Sequence, residues 1–95
     1  MTGHKDTEAL ALGQDVLLWI AGDALRTEAF LHASGSSIAD MRDRANDPEF
    51  LGFVLDHLTQ GDEALLEFCA AHDQTPQDVL RARANLPGGV LPNWT

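Results

Sequence analysis

Apolar positions in the middle of the chain fall at helical spacing. Within residues 47–61, Phe50, Leu51, Val54, Leu55 and Leu58 recur one, three and four positions apart, with Phe53 and His57 flanking them. About half of a helix circumference is therefore available for burial, while Glu49, Gly52, Asp56 and Gln60 mark the wet side. Asp47 can cap the exposed first-turn amides, Pro48 fits the first helical position because its missing N–H needs no partner there, and Gly61 offers a left-handed exit. So broad an apolar face needs neighbours on more than one side, which makes this helix the centre of the fold.

The same periodicity predicts a helix over residues 7–21. Ala9, Leu12, Val16 and Ile20 form one line, Leu10 and Leu17 widen it, and Trp19 seals its edge. Gly13 sits within that face, where a missing side chain admits a close helix approach at some cost in propensity. Leu18 falls elsewhere on the wheel, available to the tail or a second chain. Gly22-Asp23 reads as a stop followed by a cap for a helix over 24–33, whose Leu25, Ala29 and Phe30 make no narrow stripe, which fits either enclosure on two sides or a less regular helix. Ser37 and Asp40 have capping-box spacing, with Ile38 and Met41 as inward anchors of a helix reaching Arg44 or Ala45. Asp62 caps a further helix with an apolar face of Leu65, Leu66, Phe68 and Cys69. Thr75-Pro76 opens the last one, boxed by Asp78 and anchored by Val79 and Leu80.

The expected fold class is all-α: a bundle of six short helices forming one domain over 7–86. A flexible leader at 1–6 precedes it, and an irregular tail at 87–95 follows, whose Val90, Leu91 and Trp94 can fold back onto the bundle. Identical residues at one constant offset add an internal pattern: Gly22-Asp23 with Gly61-Asp62, Glu28 with Glu67, and Arg42-Asp43-Arg44-Ala45-Asn46 with Arg81-Ala82-Arg83-Ala84-Asn85. They suggest two related three-helix units, 7–46 and 48–86. Gly-Asp and Arg-Ala are also ordinary helix-boundary vocabulary, which explains the matches without duplication.

At 95 residues the chain can bury roughly 60 to 65% of its unfolded surface in one core, and an apolar share of 44% suits a globular domain. Fifteen acidic against six basic residues give a net charge of −9, which disfavours nonspecific attraction to nucleic acid or an anionic membrane. The single Cys69 rules out an intrachain disulfide framework and a multi-cysteine metal motif. The apolar run at 10–20 is broken by Gln14 and Asp15, so no secretion signal or membrane span is read, and the cytoplasm is the expected location.

The familiar catalytic patterns each lack a member. His4, His32, His57 and His72 stand in no HxxxH or HExxH arrangement, and neither a glycine-rich phosphate loop nor an acidic calcium loop is present. No metal ligand and no cofactor are expected. Cys69 and His72, three apart on one helix, would permit a thiolate-imidazole pair, although a buried small cysteine beside a half-exposed histidine explains the spacing without chemistry. The arginine pairs Arg42/Arg44 and Arg81/Arg83 are the better candidate surface for an acidic partner or an anion, set against ordinary service as C-terminal helix charges. Three function classes follow: a protein-interaction or adaptor domain with an unidentified protein partner or a second copy, anion or nucleotide binding at the arginines, and a small enzyme using Cys69 and His72.

Gly22-Asp23, Phe30-Leu31, Asp47-Pro48-Glu49-Phe50-Leu51, Leu55-Asp56-His57-Leu58, Asp62-Glu63-Ala64-Leu65-Leu66, Phe68 and the stretch 76–87 together resemble a family of small all-helical alphaproteobacterial proteins of unknown function. The likeness spans about 8–87. It implies a short, stand-alone, all-helical bacterial protein, and it supplies no catalytic residue set to carry onto this chain.

Overall fold

A computed structural model describes residues 3–86, with side chains over 7–86. The expected irregular tail at 87–95 lies outside the described residues. Six helices follow in order: α1 (Gly3–Ala21), α2 (Ala24–Ser34), α3 (Ile38–Asp43), α4 (Pro48–Thr59), α5 (Asp62–His72) and α6 (Pro76–Ala84). Among the described residues there is no strand, and the fold is all-α. The first helix starts at Gly3, upstream of the start at 7 that the periodicity suggests.

Local chemistry sets most of the helix ends. Asp23 accepts from the Arg26 amide at 3.0 Å to open α2, and Asp47 accepts from the Glu49 amide at 3.1 Å to open α4 ahead of Pro48. Full capping boxes open α3 and α6: Ser37 and Asp40 exchange hydrogen bonds at 3.0 and 3.1 Å, and Thr75 and Asp78 do the same. The exit of α4 differs from expectation. Gln60 closes it in the ordinary helical region, while Gly61 is extended (φ −126, ψ 124) and forms the N-cap of α5 without a side-chain hydrogen bond. A junction this short leaves no room for a left-handed residue, so Asp62 becomes the first helical residue. Its charge complements the amide end without capping it.

α4 is the centre. Phe50, Leu51, Val54, Leu55 and Leu58 are all buried, and it packs against α1, α2, α5 and α6. Gly52, assigned to the wet side by the wheel, is buried too, because neighbours enclose more of α4 than its apolar arc alone indicates. α1 contributes Ala9, Leu12, Val16, Leu17 and Ile20, and the remaining core comes from Phe30, Met41, Phe68, Cys69, Val79, Ala82 and Leu86. Three expected anchors are solvent-exposed instead: Ile38, Leu66 and Leu80. Each sits in a short helix that turns one narrow side inward, so the adjacent apolar position falls outside.

Caps and core positions recur between α1–α3 and α4–α6 at the offset that carries Asp23 onto Gly61, one position short of the offset that the identities imply. Asp23 and Gly61 are N-caps, Gly35 and Asp73 are left-handed C-caps (φ 72 and 55), and Ser37 and Thr75 open boxed helices. Buried Leu12, Val16, Leu17, Ile20, Phe30 and Met41 correspond to buried Phe50, Val54, Leu55, Leu58, Phe68 and Val79. The aromatic contacts are reciprocal in the same correspondence. Trp19 meets Phe68 edge-on at 5.6 Å, and His57 meets Phe30 edge-on at 5.2 Å.

An extended Gly61 facing open space gives a direct test, since nothing lies within 4 Å of an added Cβ there. Gly61→Ser should raise stability by a few tenths of a kcal/mol by supplying the missing cap. A fall in the urea midpoint of that variant would indicate the left-handed conformation instead.

Candidate functional site

The arginines occupy ends of α3 and α6 but not equivalent places. In the correspondence set by caps and core, Arg42 and Arg44 stand opposite Leu80 and Ala82, so the matched arginine letters do not share positions. Arg44 donates through Nε and Nη2 to one Asp47 oxygen at 3.1 and 2.9 Å, and its guanidinium lies 5.1 Å from the Phe50 ring centroid. The Arg44 hydrogen bond, with help from the Glu49 amide, holds the Asp47 carboxyl below the usual carboxylate range. Arg81 donates to Asp78 at 3.1 Å, and the Thr75 amide is the main cause that lowers the Asp78 pKa. Arg83 points inward. Its side chain is 13% exposed, and it clasps Asp56 through Nε at 2.6 Å and Nη2 at 2.9 Å, tying α6 to α4. Arg42 is exposed and makes no ion pair among the described residues.

Arg81 also lines a trough of about 350 Å³ between α1 and α6. Glu8, Asp15 and Asp78 line it as well, so an anion arriving at Arg81 meets three carboxylates. Anion binding there would work against the local field.

Cys69 and His72 share α5 but are not joined by a hydrogen bond among the described residues. Cys69 is buried, and burial, with a smaller contribution from Asp78, pushes its thiol above the ordinary range. The His72 ring stacks on Phe68 at 4.3 Å, its Nδ1 lying 3.4 Å from the Phe68 carbonyl oxygen. A nucleophilic thiolate needs the opposite conditions: access to solvent and a nearby positive charge. No group of three or more metal-ligating side chains occurs among the described residues.

The outer side of α2 is a different kind of surface. The helix fully buries only Phe30, and Leu25 stands 76% exposed instead of enclosed on two sides. Leu25, Glu28, Ala29 and His32 line one shallow trough, and Ala33 lines a second one with Phe53, Asp56, His57 and Gln60 of α4. Phe53 is 60% exposed, and burial lowers the His57 pKa from its ordinary value. The corresponding helix of the second half gives a comparison within the molecule. In the correspondence that pairs Asp23 with Gly61, α5 carries Glu63 where α2 carries Leu25, and Glu67 where α2 carries Ala29. α2 thus presents a leucine, an alanine and one carboxylate, and α5 two carboxylates and the exposed Leu66, so the exposed leucine sits at a different position on each helix.

Sequence reading passes over this face because Leu25 and Ala29 look like core residues when no position for the helix is known. The available signal is the absence of a second line of apolar residues that would justify two-sided burial. Leu18, set outside the α1 stripe by its angle, is exposed at the surface as expected.

The state of Cys69 is open to direct measurement. In the folded protein a thiol reagent should label it far more slowly than in denaturant. Labelling at the same rate in both conditions would contradict its burial.

No helix among the described residues is long and apolar enough to cross a membrane. Neither a curated protein nor a solved structure matches the chain. Residues 5–89 match the family described as "Protein of unknown function (DUF3572)", and the chain belongs to that family.

Proposed function

We propose that the protein is a small protein-docking module whose docking face is the outer surface of α2 together with Phe53 of α4. The observation that carries this reading is the replacement pattern on α2: Leu25 and Ala29 stand where the corresponding helix has glutamates, and Leu25 is exposed beside a shallow trough. Single exposed leucines are common on protein surfaces. A large side chain next to small ones, continued by Ala33 and Phe53 across the α2–α4 groove, is the relief that a partner helix packs into. The net charge of −9 supports a protein partner over nucleic acid or a membrane surface. A lone, buried, weakly acidic thiol supports a reducing, cytoplasmic setting, and the resemblance in sequence supports an alphaproteobacterial origin.

Anion binding at Arg42, Arg44, Arg81 and Arg83 is the alternative, favoured by the exposed Arg42. One capture experiment from native lysate separates the two. Under the docking reading, Leu25→Glu and Phe53→Glu abolish capture while leaving stability within about 0.5 kcal/mol, as surface substitutions do. Under the anion reading those variants capture normally, whereas Arg42→Ala/Arg81→Ala fails. Capture unchanged by Leu25→Glu would overturn the docking face.

A further inference from the structure

We infer that His57 is a proton-sensitive fastening between α4 and the C-terminal half of α2: the neutral imidazole holds Phe30 in place, and protonation loosens it. This fastening works whether or not the outer face of α2 docks a partner. Little else fixes that half of the helix. Near its start, α2 is tied to α1 by Arg26 over the Trp19 ring and by the Thr27 hydroxyl, which donates to the Ile20 carbonyl oxygen at 2.8 Å. Further along, only Phe30 is fully buried, with Leu31 partly so, and the Phe30 ring makes edge contacts with two rings of α4, Phe50 at 5.9 Å and His57 at 5.2 Å.

The internal correspondence singles out His57. It stands where the first half carries Trp19, and each of the two meets the buried phenylalanine of the other half edge-on. The same ring position is thus filled once by an indole, which does not titrate, and once by a side chain whose charge changes near neutral pH.

The surroundings of His57 favour the neutral form. Its ring is half-buried and, among the described residues, has neither a hydrogen-bond partner nor an ion pair. From α2 it shares its groove with Phe30, Ala33 and Ser34, all uncharged, and the Ser34 hydroxyl already donates to the Phe30 carbonyl oxygen at 2.7 Å. From α4 the groove takes Phe53, Asp56 and Gln60. Among the described residues Asp56 is the one carboxylate lining it, and both of its oxygens accept from Arg83 of α6, at 2.6 and 2.9 Å, so the nearest anion brings its own cation. The charged and titratable groups of α2 lie elsewhere, Arg26 on Trp19 and Glu28 and His32 along the outer trough. Burial accordingly lowers the His57 pKa. The contact is therefore at full strength above the ordinary histidine pKa and is lost as pH falls through the lowered one. Asp47 and Asp78, whose carboxyls are held below the usual range, do not titrate in that window.

Hydrogen exchange of the full chain between about pH 7.5 and 5.5 tests this, read as protection factors so that the intrinsic pH dependence of exchange cancels. Protection of the amides at 31–35 should fall severalfold toward acid, within the limit of about tenfold per pH unit that opening coupled to one proton allows. Those amides should also exchange faster than the amides of α1 and α4 throughout, as a locally opening segment does. His57→Phe, which keeps a ring against Phe30 without a titrating nitrogen, should abolish the pH dependence. His57→Gln should abolish it as well while lowering protection at every pH, and His32→Gln should leave it in place.

Protection that is flat across the window would overturn the inference. So would protection that rises toward acid, the result if an imidazolium were held on the Phe30 ring or by the carbonyl end of α4. Amides at 31–35 that exchange only together with α1 and α4 would place the proton's effect on the whole fold and not on α2. A pH dependence that survives in both His57→Phe and His57→Gln would assign it to another group, and either result removes His57 as the fastening.

Discussion

The structure depends on one close approach, between α1 and α4 at Gly13 and Leu51. A Cβ placed on Gly13 would sit 3.0 Å from the Cβ of Leu51, inside the distance that such atoms normally keep. The missing side chain therefore lets two helices with broad apolar faces press together along Leu12, Val16, Leu17 and Ile20 on one side and Phe50, Val54, Leu55 and Leu58 on the other. Gly13 and Leu51 are themselves a corresponding pair, standing at the same offset as Leu12 and Phe50, so equivalent positions of the two triplets meet each other. The edge-on pairs Trp19–Phe68 and His57–Phe30 recur at the same offset. Close interior packing makes such a contact intolerant of added volume.

Around this crossing the other helices are laid on with unequal commitment. α6 packs against both central helices, and Arg83 locks it to α4 through Asp56. α2 reaches the core mainly through Phe30, while Arg26 lies 3.8 Å over the Trp19 ring and donates to the Trp19 carbonyl oxygen at 3.4 Å. Leu31 packs partly buried against the core and the Thr27 hydroxyl donates to the Ile20 carbonyl at 2.8 Å, which leaves Leu25, Glu28, Ala29 and His32 on the exposed side of the helix. The apolar character of that free side consequently lies outside the requirements of the fold, and it is the feature on which the proposed docking role rests.

Much of the architecture is legible in the sequence because caps and broad stripes are local signals. Asp23, Ser37/Asp40, Asp47-Pro48 and Thr75/Asp78 each act at the helix start they announce. The five apolar positions that the wheel marks on α4 are core in the fold. Periodicity fails where a helix is short and its apolar arc is wider than the side that meets a neighbour, as with Ile38, Leu66 and Leu80. Gly61 reads as an exit because glycine serves both as a left-handed terminus and as an extended N-cap, and only the following helix decides between them. Identical letters pair Asp23 with Asp62, whereas caps and buried positions pair it with Gly61. Arginines are freer to drift along a surface than core residues are within a core. Of the candidate site, the arginines are visible as charges but their carboxylate partners are not, because Asp56 lies 27 residues from Arg83.

Equilibrium urea unfolding of Gly13→Ala tests the central crossing most directly. Replacing glycine by alanine inside a helix ordinarily adds about 1 kcal/mol through propensity. Here the added methyl group meets the Cβ of a fully buried Leu51, which cannot rotate away because its position is fixed by the backbone of α4. Overpacking of this kind costs about 1 to 3 kcal/mol. The account expects a lower urea midpoint and a net loss of stability of about 1 kcal/mol, despite the better helix former. A higher midpoint, the ordinary result for glycine to alanine in an exposed helix, would contradict it.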